Sequence, residues 1–113
     1  MGDTYQIYLV SDSTGETLDR IFLALKAQFP KFKYKSHQCS FTRTENQILK
    51  IFDLCKENNK SAILYTIVNI ELAKFLAENS KKNNIPCFGV LGDLILRFSK
   101  LLNQEASHIP SGQ

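Results

Sequence analysis

Seven consecutive residues, Ser11-Asp12-Ser13-Thr14-Gly15-Glu16-Thr17, hold the densest set of ligand-capable groups in this chain. The run follows the apolar segment Ile7-Tyr8-Leu9-Val10 and precedes a helical pattern, so it reads as a strand-to-helix loop. The free amides of a helix start, with the positive end of the helix dipole, favour an anion such as phosphate. Ser13, Thr14 and Thr17 add hydroxyl donors, and Gly15 allows a tight turn. A second reading stands beside this one. Ser13 and Glu16 have capping-box spacing, in which hydroxyl and carboxylate satisfy each other's backbone amides. Asp12 and Glu16 also repel an anion unless a cation compensates them.

That cation has a candidate. Ser40-Phe41-Thr42-Arg43-Thr44-Glu45 opens another helical pattern, with Thr42 and Glu45 at capping-box spacing. If both loops lie at one sheet edge, Arg43 stands near Asp12, where it neutralises the acidic loop, grips a phosphate bidentately, or stays solvated. Complete catalytic constellations are missing. No glycine is followed by lysine, so there is no Gly-x-x-x-x-Gly-Lys-Ser/Thr loop, and there is no GxGxxG or Gly-x-Ser-x-Gly. Cys39 and Arg43 are too close in sequence for a cysteine-phosphatase loop. No residue is assigned as catalytic or as a metal ligand.

The elements that must position these loops alternate. Ile7–Val10 reads as a buried strand, and residues 16–29 as a helix striped by Leu18, Ile21, Phe22, Leu25 and Phe29 that Pro30 closes. Residues 33–41 suit a polar edge strand guarded by lysines, and residues 45–56 a helix with Ile48, Ile51, Phe52 and Cys55 inside. The run from Ala62 to Val68 is the most apolar and belongs at the sheet centre; Asn69 caps a third helix carrying Leu72, Phe75 and Leu76. Residues 86–90 form a fourth strand, and Leu91, Leu94, Ile95, Phe98, Leu101 and Leu102 stripe a fourth helix. Four βα units with short connections predict an α/β fold. The expected form is a Rossmann-like doubly wound three-layer sandwich around a roughly four-stranded parallel sheet. The expected organisation is one α/β domain over residues 1–102 and a connecting tail over 103–113.

The 113 residues suffice for one domain, and 43% hydrophobic with 22% charged residues fits a folded chain. Fourteen Lys+Arg against eleven Asp+Glu give +3, scattered in short groups rather than a continuous stripe, which argues against nucleic acid. No apolar run reaches the ~20 residues of a membrane span, and Met1-Gly2-Asp3-Thr4 begins no export signal. Cys39, Cys55 and Cys87, odd in number and widely spaced, fit small core residues in a reducing cytoplasm.

The chain further resembles the pyruvate, phosphate dikinase regulatory proteins, a family that includes the phosphoenolpyruvate synthetase regulators. The resemblance is carried by the run Leu9 to Thr17, by Phe41-Thr42-Arg43-Thr44, and by Tyr65-Thr66-Ile67-Val68-Asn69. Ile85-Pro86, Val90-Leu91-Gly92 and, loosely, Pro110-Ser111-Gly112-Gln113 extend it. Gly89 departs from an aspartate usual in the family. Family members are roughly twice this long, and their nucleotide-binding P-loop lies in the half that this chain lacks. The resemblance therefore implies the N-terminal half of a bifunctional enzyme. The intact enzyme uses ADP to phosphorylate a dikinase threonine and uses phosphate to remove that group, releasing pyrophosphate. It implies a cytoplasmic chain inactive alone, with no cofactor of its own, whose partners are the dikinase or the synthetase and a possible second copy. Asp12, Ser13, Thr14, Gly15, Thr17 and Arg43 are the candidate phosphate-binding or interface residues. The alternative is a standalone phospho-ligand-binding or structural interaction domain.

Overall fold

The computed structural model describes residues 4–110, so Met1–Asp3 and the Ser111-Gly112-Gln113 end of the last family-like segment lie outside the described residues. Strand β1 (Tyr5–Ser11) leads to α1 (Glu16–Ala27), β2 (Tyr34–Cys39), α2 (Glu45–Lys56), β3 (Ser61–Thr66), α3 (Ile70–Asn83), β4 (Cys87–Gly89) and α4 (Gly92–Leu102). All strands are parallel, in the order β2-β1-β3-β4. The apolar runs of β1 and β3 take the centre and the polar, lysine-bearing β2 an edge, as the sequence predicts.

Alternation along β1 splits its side chains between two cores. Tyr8 and Val10 join Ile63 of β3 under α2 and α3, packed on Ile48, Phe52, Cys55 and Leu76. Ile7 and Leu9 face the other way with Leu64, covered by Leu18 and Phe22 of α1. Helices on both faces of a parallel sheet give the three-layer, Rossmann-like arrangement. The first crossover runs outward from β1 to β2 and the second returns past β1 to β3, so the winding reverses between β1 and β3.

Four expectations need correction. Helix α1 ends at Ala27, two residues short of Phe29, because Gln28 and Phe29 turn back to the Leu25 and Lys26 carbonyls ahead of Pro30. Its stripe is then only half used: Leu25 and Phe29 are exposed. Strand β3 stops at Thr66, and Ile67-Val68 belong to the following loop. Of the cysteines only Cys55 is buried; Cys39 and Cys87 are half-buried at the core margin. The fourth helix forms as expected but buries none of its residues. The tail after Asn103 has no regular structure through Pro110.

Candidate functional site

The winding reversal opens a crevice beyond the carboxyl ends of β1 and β3, the usual ligand position in such sheets. Asp12, the first residue past β1, sits there with 2% of its surface exposed. Its Oδ2 accepts the Val68 backbone N–H at 2.8 Å, bridging the loops after β1 and β3, and the Ser13 hydroxyl lies 3.5 Å from Oδ1. The Arg43 Nε–H donates to the Asp12 carbonyl at 2.8 Å rather than to its carboxylate. Arg43 makes no ion pair among the described residues, so its guanidinium is anchored at one nitrogen while the charge stays available at the crevice.

Loop-to-loop bonds hold this geometry. Phe41 N–H donates to the Ser13 carbonyl at 2.9 Å and Thr42 N–H to the Ser11 carbonyl at 2.8 Å, continuing the β1–β2 ladder past both strands. The Ser40 hydroxyl donates to the Thr14 carbonyl at 2.8 Å. Phe41 itself has φ +54°, a left-handed conformation that a bulky residue adopts only when its surroundings enforce it. The Arg43 guanidinium then lies over the Phe41 ring at 5.4 Å. Sequence patterning missed Phe41, because left-handed backbone has no side-chain signature in an aromatic residue.

Both expected capping boxes are corrected. Gly15, not Ser13, is the N-cap of α1, with φ +92° and no side-chain cap; only the Thr14 hydroxyl approaches the Glu16 amide, at 3.4 Å. The Ser13 side chain is instead buried beside Asp12. At α2 the reciprocal box is Thr44 with Gln47, two residues further on than Thr42 with Glu45. Thr42 turns inward and donates to the Cys39 carbonyl at 2.9 Å. Asn69 caps α3 as expected, accepting the Leu72 N–H at 2.9 Å. Thr44→Ala is expected to cost about 1 kcal/mol in urea unfolding; an unchanged midpoint would show that Gln47 alone secures the helix start.

A cavity of about 320 Å³ at the crevice is lined by Asp12, Arg43, Glu45, Asn69, Glu71, Leu72 and Pro110. It unites Asp12 with Arg43, whereas Ser13, Thr14, Gly15 and Thr17 stay outside its lining. Ser13 is buried and Thr14 exposed at the α1 side of the same loop. The starts of α2 and α3 both reach the cavity through Glu45 and Asn69. Its lining brings one guanidinium, Arg43, together with the carboxylates of Asp12, Glu45 and Glu71, so the cavity is polar and charged. Nucleophilic chemistry finds no support nearby. Burial, then the neighbouring Cys87 and Cys39, pushes the Cys55 thiol up to about 12, and burial also raises Cys39 and Cys87. His37 is stacked on Tyr8 at 4.5 Å with its Nε2 2.7 Å from Gln6 Oε1, and burial lowers its pKa, the reading of a packed residue. No cluster of three metal-ligating side chains occurs among the described residues, and no described helix is long and apolar enough to cross a membrane.

Residues 7–113, which include the whole of this crevice, match the model of the kinase/pyrophosphorylase family. The chain belongs to that family. A protein of Pelagibacter ubique with the provisional name pyruvate, phosphate dikinase regulatory protein is 65% identical over all 113 residues, which span 41% of its length. Proteins of the same provisional name from Agrobacterium fabrum and Geobacter metallireducens are 35% and 32% identical over 87% and 96% of this chain. The chain thus spans about two fifths of the length of the curated kinase/pyrophosphorylase relatives it matches.

Proposed function

We propose that this chain is the α/β portion of a bifunctional regulator of pyruvate, phosphate dikinase. The intact regulator phosphorylates a dikinase threonine with ADP as donor and removes the group by phosphorolysis, giving pyrophosphate. Its proposed location is the cytoplasm. The observation that carries this reading is the family match over residues 7–113, together with relatives named for dikinase regulation. Phosphoryl transfer is mostly positioning and charge stabilisation, and its core part is a loop that cradles the donor's phosphates with a lysine. These 113 residues contain no such loop, so the donor site belongs to the part of the relatives that this chain does not span. The share proposed for this chain is phosphate recognition at the crevice. Arg43 supplies the charge, Asp12 and Ser13 fix the loop that carries it, and Thr14, Gly15 and Thr17 form the adjoining rim toward the donor-binding part.

Two measurements test the proposal. Incubating the chain with dikinase and ADP is expected to leave the dikinase threonine unmodified. Calorimetric titration with phosphate and pyrophosphate is expected to show weak binding that Arg43→Ala reduces at least tenfold, the loss of one charged, bidentate contact worth about 1.5 kcal/mol or more. Threonine phosphorylation by the chain alone, or anion binding indifferent to Arg43, would overturn the respective half of the reading.

A further inference from the structure

The tail after α4 folds back onto the domain. At its near end the Gln104 N–H donates to the Ser99 carbonyl at 3.1 Å, and the Ser99 hydroxyl donates to the Gln104 carbonyl. Alternate side chains then face inward: Ala106, His108 and Pro110 are half-buried, while Glu105, Ser107 and Ile109 are exposed. Ala106 and His108 line the groove between α3 and α4, and Pro110 reaches the crevice itself. His108 has φ +56°, a left-handed backbone that costs a histidine energy and persists only where its surroundings offset it. The offsetting contact is a hydrogen bond: its Nδ1 lies 3.0 Å from the Val68 carbonyl oxygen. A carbonyl only accepts, so Nδ1 carries the proton and donates.

Val68 is thereby held on both sides by side chains remote in sequence. Its N–H donates to Asp12 Oδ2 at 2.8 Å, its carbonyl accepts from His108, and the next residue, Asn69, caps α3. Asp12 in turn offers its own carbonyl to the Arg43 Nε–H at 2.8 Å. An unbroken chain of hydrogen bonds thus runs from His108 through Val68 and Asp12 to Arg43, from the tail to the guanidinium of the crevice. Val68 is the joint in that chain. With both of its backbone polar groups engaged, its two dihedrals are pinned; with the carbonyl released, the loop after β3 is free to shift and to draw the Asp12 carboxylate with it. We infer that His108 is a positioning residue, whose bond to Val68 docks the tail and holds Asp12 and Arg43 in the geometry that receives an anion. The anion half of this inference rests on the phosphate recognition proposed for Arg43. By linkage, an anion in the crevice equally favours the docked tail.

Hydrogen exchange read by nuclear magnetic resonance on the isotope-labelled chain tests this at two protons that the His108 bond does not contain, Val68 N–H and Arg43 Nε–H. His108→Gly relieves the backbone strain and deletes the donor, whereas His108→Asn tolerates the same φ and returns an N–H at a similar reach. His108→Gly is expected to speed exchange at both protons by about fivefold to tenfold, the loss of one hydrogen bond, and to leave the sheet-centre amides of Leu9 and Ile63 unchanged. In calorimetry the same variant is expected to weaken phosphate binding by about threefold. His108→Asn is expected to stay close to the parent in both measurements. The proposal is overturned by exchange at Val68 and Arg43 that ignores His108→Gly, by acceleration shared equally with Leu9 and Ile63, or by His108→Asn exchanging as fast as His108→Gly. Phosphate affinity indifferent to His108→Gly, in a chain that does bind phosphate, overturns it too. A parent that binds no phosphate removes the role of Arg43, while the exchange rates still decide that of His108.

Discussion

Asp12→Ala is expected to lower unfolding stability by about 2–3 kcal/mol, the cost of leaving a partly buried amide unpaired and losing its carboxyl partner. The amide is that of Val68, which donates to Asp12 Oδ2 at 2.8 Å across the reversal of the sheet. The side chain is almost fully enclosed, so its removal also leaves a small void beneath the crevice. Asp12→Asn keeps an oxygen acceptor and should recover most of the loss. Urea titration reads both, with the midpoint moving and the slope held constant. Were Asp12→Ala as stable as the parent, the carboxyl would be free for a ligand, and the loop after β3 would need another anchor.

Gly15→Val should cost a comparable amount, about 2–4 kcal/mol, for a reason unrelated to hydrogen bonding. At φ +92° every side chain is strained, a β-branched one most. The added Cβ would also lie 3.3 Å from Ser40 Oγ and 3.4 Å from Gln38 Oε1, the latter side chain itself bonded to Asp19. Gly15→Ala is expected to lose roughly half as much, since backbone strain remains and branching does not. Equal losses for both variants in thermal unfolding would show that conformation alone, not crowding against β2, dictates glycine there. Either substitution perturbs the fold, so phosphate binding is better probed at Arg43.

The order of elements was legible because each βα unit has a clear change of apolar period. The run 62–68 announced the sheet centre, although its last two residues lie past the strand, the stripe 48–51–52–55 the inner side of α2, and Asn69 its own cap. The approach of Arg43 to Asp12 was legible too, from nothing more than two loops sharing a sheet edge. Its form was not: the guanidinium takes the carbonyl, and the carboxylate reaches 56 residues along the chain to Val68. No local pattern encodes a bond of that range. The capping boxes misled because spacing admits several registers. At α1 the left-handed Gly15 moved the cap past Ser13, and at α2 Thr44 outcompeted Thr42, whose hydroxyl was taken by Cys39. The stripe of α4 predicted a helix correctly and said nothing of what it faces, since periodicity measures segregation and not contact.

The sheet order has a consequence for how the chain is made. Strand β1 pairs on one side with β2 and on the other with β3, Gln6 beside Ser61 and Ser11 beside Thr66. During synthesis its second edge must wait until two helices and another strand have left the ribosome. Closing the middle of the sheet thus waits on a partner about 55 residues further along the chain, a long-range pairing of the kind that slows folding.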